Sequence, residues 1–183
     1  MRQLVVLSGK GGTGKTSFTA SLARLAPSVV VADADVDAPN LHLLLRAGRE
    51  RPGGKEFAGG LSVELDAALC NGCSECARVC RFDAVTVCAS REGLRPEFDD
   101  FACEGCGFCA RVCPCGAITM RRRAAGSIHI CDTEVGPLVH ARLNVAEDNS
   151  GRLVSEVRRL AAEVARAEGR GLVLVDGPPG VGC

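Results

Sequence analysis

Three uninterrupted apolar runs set the hydrophobic pattern of this chain, and they lie at residues 4–7, 29–32 and 172–175. Runs of this length without polar alternation are typical of strands buried on both faces of a parallel sheet. Helical spacing follows the first run, with Phe18, Leu22 and Leu25 on one predicted face, and a longer helical stripe at 153–165 precedes the third run. This alternation of strand and helix predicts an α/β fold with a mostly parallel sheet.

The pattern between these runs predicts a short helix, a hairpin and a linker. Residues 41–45 favour a short helix. Residues 127–131 and 138–145 are strand-like and predict a hairpin around Gly136-Pro137. The stretch at 49–60 has linker composition and no periodicity, so we expect a domain junction there.

The first apolar run leads directly into a glycine-rich segment that satisfies the pattern GxxxxGK(S/T). Its residues are Gly9, Lys10, Gly11, Gly12, Thr13, Gly14, Lys15 and Thr16. Glycines allow consecutive backbone N–H groups to turn toward a phosphate, and the N-terminus of the following helix adds positive potential. Lys15 would then reach the terminal phosphates, and the Thr16 hydroxyl would bind Mg²⁺. The alternative is a glycine-rich turn without a ligand, which the flanking strand and helix disfavour.

Carboxylates follow the second and third runs, where each predicted strand ends. Asp33 and Asp35 come after the second run, and Asp176 and Gly180 come after the third. Because parallel sheets bind ligands at the carboxyl ends of their strands, we expect these residues beside the glycine-rich loop. Asp176 is expected on the Mg²⁺ side of a nucleotide, with Gly180 placed to sense the terminal phosphate. Taken alone, the segment that begins at Asp33 is equally compatible with a surface turn.

An internal repeat occupies the middle of the chain, because residues 70–87 align with residues 103–120 without gaps and 10 of the 18 positions are identical. Each copy carries the spacing CxxCxxCxxxC, in the cysteines Cys70, Cys73, Cys76 and Cys80, then Cys103, Cys106, Cys109 and Cys113. This spacing resembles that of bacterial ferredoxins, in which the fourth cysteine of each run binds the other [4Fe-4S] cluster. The expected ligand sets are therefore Cys70, Cys73, Cys76 and Cys113 for one cluster, and Cys103, Cys106, Cys109 and Cys80 for the other.

A structural zinc site is the alternative for the cysteines of the repeat, but this spacing fits the paired CxxC pattern of zinc poorly.

The cysteines outside the two runs carry less information. Cys88 and Cys131 lie in strand-like surroundings and are expected to be small buried residues. The spacing leaves open whether Cys115 is a spare ligand, and it assigns no role to Cys183.

Composition and charge give no reason to expect a nucleic-acid or membrane partner. Lys plus Arg and Asp plus Glu each number 22, and aromatic residues make up 3%. No apolar run approaches the length of a membrane span and no signal-peptide pattern precedes the first run, so we expect a cytoplasmic location. Twelve cysteines in that reducing compartment are expected to be metal ligands rather than disulfides.

These motifs together resemble those of the MinD/ParA group of P-loop ATPases, and in particular its branch with an inserted two-cluster ferredoxin domain. Lys10 matches the additional lysine of that group's Walker A motif. The group's other two motifs, DxD followed by Asn and DxPxG, are matched by Asp33, Asp35 and Asn40, and by Asp176, Pro178 and Gly180.

The resemblance implies a doubly wound P-loop domain at residues 1–60 and 124–183, with an inserted α+β ferredoxin domain of the bacterial type at 61–123. Family members continue beyond the DxPxG motif. We therefore expect this chain to be truncated and its sheet to be incomplete at the C-terminus.

The resemblance also implies a mechanism with ATP, Mg²⁺ and two [4Fe-4S] clusters as cofactors. ATP would be sandwiched in a homodimer that forms through the nucleotide face, with Lys10 reaching the ATP of the second subunit. Lys10, Lys15 and Asp35 would be the catalytic residues, and Asp35 would orient or activate the attacking water. Asp33 and Asp176 would belong to the nucleotide site, where Asp176 supports the metal.

The favoured function is ATP-gated electron transfer to an unidentified redox partner. The first alternative is an ATP-dependent scaffold or carrier of iron–sulfur clusters, which the complete sets of four cysteines disfavour. A spatial organiser acting on DNA or membrane is the second alternative, and the neutral charge disfavours it. ATP rather than GTP rests on the resemblance alone.

Overall fold

The computed structural model describes residues 1–90, 93–144 and 150–180, so Cys183 lies outside the described residues. The chain divides into two compact units. The first unit comprises Met1–Phe57 and Ala124–Cys183, and the second comprises Ala58–Arg123. None of the helices in the described ranges is long and apolar enough to cross a membrane.

The helices and strands, in chain order, are β1 Arg2–Ser8, α1 Lys15–Leu25, β2 Val29–Asp33, α2 Leu41–Leu44, β3 Lys55–Leu65, α3 Glu75–Val79, β4 Val85–Ser90, β5 Gly93–Phe98, α4 Phe108–Val112, β6 Ile118–Thr133, β7 Gly136–Leu143, α5 Ser150–Ala167 and β8 Leu172–Pro179.

The main sheet has the strand order β1-β8-β2-β7-β6-β3. The pairs β1/β8, β8/β2 and β2/β7 are parallel, whereas β7/β6 is antiparallel. The prediction of an α/β fold with a mostly parallel sheet is therefore confirmed. The three apolar runs became β1, β2 and β8, which are neighbours in the sheet.

The first apolar run is not buried on both faces as expected. Every residue of β2 is buried, but Leu4 and Leu7 on β1 are 47% and 66% exposed. The physical reason is the strand order, because β1 stands at the edge of the sheet and has one neighbouring strand in the described ranges.

The two long helices pack differently from each other. The stripe on α5 is core, as predicted, because Leu153, Val157 and Ala161 are fully buried against the sheet. The predicted face of α1 is wrong, since Phe18 and Leu25 are exposed. The buried face of α1 consists of the small residues Thr19, Ala20 and Ala23 next to Lys15, which allow the helix backbone to approach the strands.

The stretch at 49–60 was expected to hold a domain junction, and the division between the two compact units falls within it, after Phe57. The stretch is ordered, however, and is not an irregular linker. Its backbone follows β6 through hydrogen bonds from Arg51 N to Ile130 O and from Asp132 N to Arg49 O. Phe57, within β3, is 6% exposed and belongs to the core. The polar composition of this stretch reflects an edge position with one exposed face.

The predicted hairpin is confirmed, with its turn two residues earlier than expected. β6 and β7 pair in antiparallel register from Gly126↔Leu143 to Thr133↔Gly136, so Glu134 and Val135 form the turn.

The second unit repeats its backbone as well as its sequence. α3 and α4 occupy equivalent positions in the two copies, and each begins after a residue with positive φ, Ser74 at 64° and Gly107 at 72°. The glycines inside the first CxxC of each copy, Gly72 and Gly105, also have positive φ, at 73° and 62°.

The two cysteines that the sequence placed in strands differ in burial. Cys131, on β6, is buried as expected, at 8% exposure. Cys88 lies on β4, which pairs only with β5 in a two-stranded sheet, and it is half-buried. The expectation of burial is wrong for Cys88. A sheet of two strands is too small to cover the side chains of its strands completely.

Gly105 provides a test of this backbone. A Cβ atom at this position would overlap the carbonyl oxygen of Leu61, whereas a Cβ at Gly116, which has almost the same φ of 64°, would meet nothing within 4 Å. We expect Gly116→Ala to cost about 1–2 kcal/mol, the usual penalty for a left-handed residue. Gly105→Ala is expected to lower the midpoint of urea unfolding distinctly further, because the backbone must also shift. Equal midpoints for the two variants would contradict the contact.

Candidate functional site

The glycine-rich loop connects β1 to α1 and is open to solvent. Gly12 and Gly14 have φ values of 75° and 80°, which only glycine adopts readily. A Cβ atom on any of the four loop glycines would meet nothing within 4 Å. Gly14 caps α1 without a side-chain hydrogen bond, so the first N–H groups of the helix remain available to an anion.

Two carboxylates lie side by side beneath this loop. Asp33 at the end of β2 and Asp176 on β8 are register partners on adjacent parallel strands, and both are fully buried. Asp33 accepts hydrogen bonds from the backbone N–H of Asp35 at 3.2 Å and of Leu41 at 3.0 Å. The sequence-based expectation that these acids meet beside the loop agrees with this geometry.

Lys15 is buried among these acids. Its Nζ lies 3.0 Å from Asp176 Oδ1 and 3.7 Å from Asp35 Oδ2, and the residue is 9% exposed. Because a buried ammonium needs a compensating charge, the two carboxylates hold Lys15 in place.

Thr19 is a site residue that the sequence analysis missed. Its hydroxyl lies 3.1 Å from Asp176 Oδ1 and 2.9 Å from the carbonyl oxygen of Lys15, one helical turn earlier. The sequence spacing could have identified Thr19. It is a polar residue four positions after Lys15 and therefore lies on the same face of the helix.

One oxygen of the site has no partner among the described residues. Asp176 Oδ2 is fully buried and makes no hydrogen bond to any residue that the structure describes. Leaving a buried oxygen unpaired costs about 1–3 kcal/mol, and carboxylate oxygens are the ligands that Mg²⁺ prefers. Thr16, half-buried at the start of α1, supplies a second oxygen ligand of the required type. The residues present therefore fit a magnesium ion with a nucleotide.

Burial also changes the acidity of the site. Burial is the largest of the causes that raise the pKa of Asp33 from its ordinary value to about 7; the nearby carboxylates of Asp176 and Asp35 contribute to this shift, while hydrogen bonds from the backbone N–H groups of Leu41 and Asp35 oppose it. Burial raises the pKa of Asp35 as well, while the Lys15 ammonium opposes this shift. Asp35 and Asp176 thus both pair with the buried Lys15 ammonium, whereas the hydrogen-bond partners of Asp33 are the backbone N–H groups of Asp35 and Leu41.

The other nucleotide residues of the sequence analysis lie at the rim. Lys10 and Thr13 are exposed in the loop, and the Lys10 carbonyl accepts a hydrogen bond from Ser8 Oγ at 3.0 Å. Gly180 has a φ of 96°, and its N–H donates to the Ser8 carbonyl at 2.9 Å, so the end of β8 is tied to the start of the loop. Asn40 is exposed and precedes α2.

The cysteines of the second unit line two separate cavities. One cavity is lined by Cys70, Cys73, Cys76, Cys113 and Cys115. The other is lined by Cys80, Cys103, Cys106 and Cys109. Each cavity thus combines three cysteines of one repeat copy with the fourth cysteine of the other, which is the grouping that the spacing predicts.

The donor set of both cavities fits an iron–sulfur cluster. Within the described ranges, no three or more His, Cys, Asp or Glu side chains converge on a position for a single metal ion. A cubane requires a different arrangement, because each thiolate binds a different iron at a different corner. The loop glycines Gly72 and Gly105 also admit no side chain, since a Cβ would lie 2.7 Å from Leu94 O in the first case and overlap Leu61 O in the second.

Residues 4–174 match the family described as the CobQ/CobB/MinD/ParA nucleotide binding domain. An uncharacterized protein of Methanocaldococcus jannaschii is 36% identical over 185 residues, which cover 99% of this chain and 61% of that protein. The putative septum site-determining protein MinD of Oltmannsiellopsis viridis is 56% identical over 48 residues, 24% of this chain and 15% of that protein. MinD of Synechocystis sp. is also 56% identical over 48 residues, 24% of this chain and 18% of that protein.

The burial of Lys15 predicts a large effect of its removal on stability. Lys15→Met should lower the free energy of unfolding at pH 8 by about 3–5 kcal/mol, because the carboxylates lose their counter-ion. The loss should shrink at pH 5, where carboxyl groups with a raised pKa take up protons. Urea unfolding followed by circular dichroism measures both values.

The exposed pair Lys55–Glu156, with an N–O distance of 2.7 Å, supplies the control. Lys55→Met should cost no more than about 1 kcal/mol at either pH, as is usual for a surface ion pair. A Lys15→Met variant as stable as Lys55→Met at pH 8 would contradict the buried pair.

Proposed function

The chain belongs to the CobQ/CobB/MinD/ParA nucleotide-binding domain family, and from this premise we propose that it is an ATPase that couples its nucleotide state to electron transfer through two [4Fe-4S] clusters. The observation that carries the proposal is that each of two cavities gathers one of the two expected sets of four cysteines, the first together with Cys115, in a chain whose other unit holds a buried Lys15–Asp176 pair next to an open glycine loop.

The proposed nucleotide chemistry follows from the contacts of Lys15. A nucleotide in the glycine loop would bring its phosphates to the first N–H groups of α1 and compete with Asp176 and Asp35 for the Lys15 ammonium. Thr16 and Asp176 would hold Mg²⁺, and the ion would supply the partner that Asp176 Oδ2 lacks among the described residues. Asp35 would orient the attacking water.

The exposed position of Lys10 is consistent with a role in a homodimer. A lysine that the loop holds away from its own buried acids is available to a nucleotide bound by a second subunit. Hydrolysis would then depend on closure of the dimer through the nucleotide face, because phosphoryl transfer needs cationic stabilisation at the moment of reaction.

The proposed redox residues are the cysteines of the two cavities. Cys70, Cys73, Cys76 and Cys113 would hold one cluster, and Cys103, Cys106, Cys109 and Cys80 the other. Such clusters exchange single electrons with a partner protein. The redox partner of this chain is proposed only as a class, an electron-transfer protein that docks on the second unit.

A second candidate function is that of an ATP-dependent iron–sulfur cluster carrier. Cys73 and Cys106, the second cysteine of each run, are exposed, and an exposed ligand is open to attack by an acceptor thiol. The two functions differ in the fate of the clusters, since a carrier loses iron to an apo-protein acceptor and an electron carrier keeps it.

A redox titration tests the main proposal. Anaerobically reconstituted protein should give two [4Fe-4S] signals in the EPR spectrum after reduction by dithionite, and MgATP should shift the midpoint potential or line shape of at least one. Lys15→Ala should keep both signals and lose the shift, because its cysteines are unchanged. Two signals that ignore MgATP in the parent would count against coupling, and iron that moves to an apo-ferredoxin during incubation would favour the carrier.

A further inference from the structure

The cavity of the first ligand set contains a fifth thiol. Cys115 lines it together with Cys70, Cys73, Cys76 and Cys113. The sulfur atoms of Cys113 and Cys115 lie 3.6 Å apart, within contact distance of each other. No fifth cysteine lines the described part of the other cavity.

A tight turn holds the two sulfurs together. The N–H of Gly116 donates to the carbonyl oxygen of Cys113, and Gly116 has a φ of 64° that closes the turn. Pro114, between the two cysteines, fixes its own φ and stiffens the segment. Asn71, which lies between the cluster cysteines Cys70 and Cys73, lines the same cavity as Cys115. Cys115 is therefore held against the loop that carries the rest of the set.

The internal repeat shows that this thiol is not demanded by the fold. Cys113 is equivalent to Cys80 in the other copy, and Cys115 is equivalent to Phe82. Phe82 lines the second cavity at the corresponding place, beside Cys80. The same turn thus accepts an apolar side chain that cannot bind iron, and only one of the two cavities carries a spare ligand atom.

We infer that Cys115 is a reserve ligand of the cluster held by Cys70, Cys73 and Cys76, and that it takes the iron of Cys113 when Cys113 is released or lost. This inference rests on the proposed function, since it requires a cluster in that cavity. In the exchange the iron–sulfur bond to Cys113 breaks and the bond to Cys115 forms. The proton of the Cys115 thiol passes to the Cys113 thiolate, and no electron moves.

Iron content of the chain of residues 1–183, measured after anaerobic reconstitution with ferrous iron and sulfide, tests the exchange. Cys113→Ala should keep the iron content of the parent, because Cys115 completes the set. The double variant Cys113→Ala, Cys115→Ala should hold half as much iron. Cys115→Ala alone should keep the full content, since Cys113 is then present.

The repeat supplies a matched control. Cys80→Ala should lose half of the iron, because Phe82 has no ligand atom to offer. Adding Phe82→Cys to Cys80→Ala should restore the content of the parent. This pair remains informative if Cys113→Ala fails to fold, since it tests whether a thiol at this position of the turn reaches the cluster.

Alkylation of the cluster-loaded protein gives a readout that a purely structural role of Cys115 would not move. Iodoacetamide followed by peptide mass spectrometry should modify Cys115 in the parent, where it is half-buried and unligated. Cys115 should be protected in Cys113→Ala, where it binds iron. One of the two EPR signals should change its line shape in that variant, and the other should not.

Several outcomes would overturn the inference. Loss of half the iron from Cys113→Ala, as from Cys80→Ala, would show that Cys115 does not reach the cluster, and so would continued alkylation of Cys115 in Cys113→Ala. Loss of half the iron from Cys115→Ala would make Cys115 a resident ligand and not a reserve. A parent protein that binds no iron would overturn the proposed electron-transfer function and this inference together, which separates that failure from the others.

Discussion

The first unit depends on the ion pair between Lys15 and Asp176, because neither charge is tolerable in the core without the other. Parallel pairing of β2 with β8 sets Asp33 opposite Asp176, and the start of α1 sets Lys15 above them. A buried charge that loses its partner costs several kcal/mol, so the strand register and the helix position are fixed by the same contact.

Local patterns predicted the parts of this fold that depend on local physics. The loop that ends at Lys15, the buried strand β2 and the α5 stripe each follow from residue type and spacing within a few positions. The order of the strands in the sheet decides which apolar run becomes the edge strand. The residues within a single run do not reveal that order. The order of the stretch at 49–60 was missed for the same reason, since an edge strand with one exposed face resembles a linker in composition. Thr19 was missed because its role depends on Asp176, far away in the chain.

The crossed grouping of the cysteines was expected from the resemblance of the CxxCxxCxxxC spacing to that of bacterial ferredoxins, and the linings of the two cavities agree with it. The two copies of the repeat differ in backbone strain, however. Ser74 and Asp83 adopt positive φ values of 64° and 50° where the second copy has Gly107 and Gly116. A side chain in this region costs about 1–2 kcal/mol, so the first copy keeps the backbone of the second at an energetic cost. The persistence of the turn with different side chains indicates that the backbone, and not the side-chain packing, defines the cavities.

The unpartnered oxygen of Asp176 connects stability to binding in the first unit. A buried oxygen without a hydrogen-bond partner among the described residues raises the free energy of the folded state, and burial, the largest cause of the raised pKa of Asp33, opposes a negative charge beside it. A cation placed among these carboxylates would relieve both costs. A ligand that binds only the folded state stabilises it by RT ln(1 + [L]/Kd). Binding of a cation at this site would therefore offset the stability that the buried carboxylates cost the fold. The same buried carboxylates that lower the stability of the fold therefore favour the binding of a ligand that carries a cation.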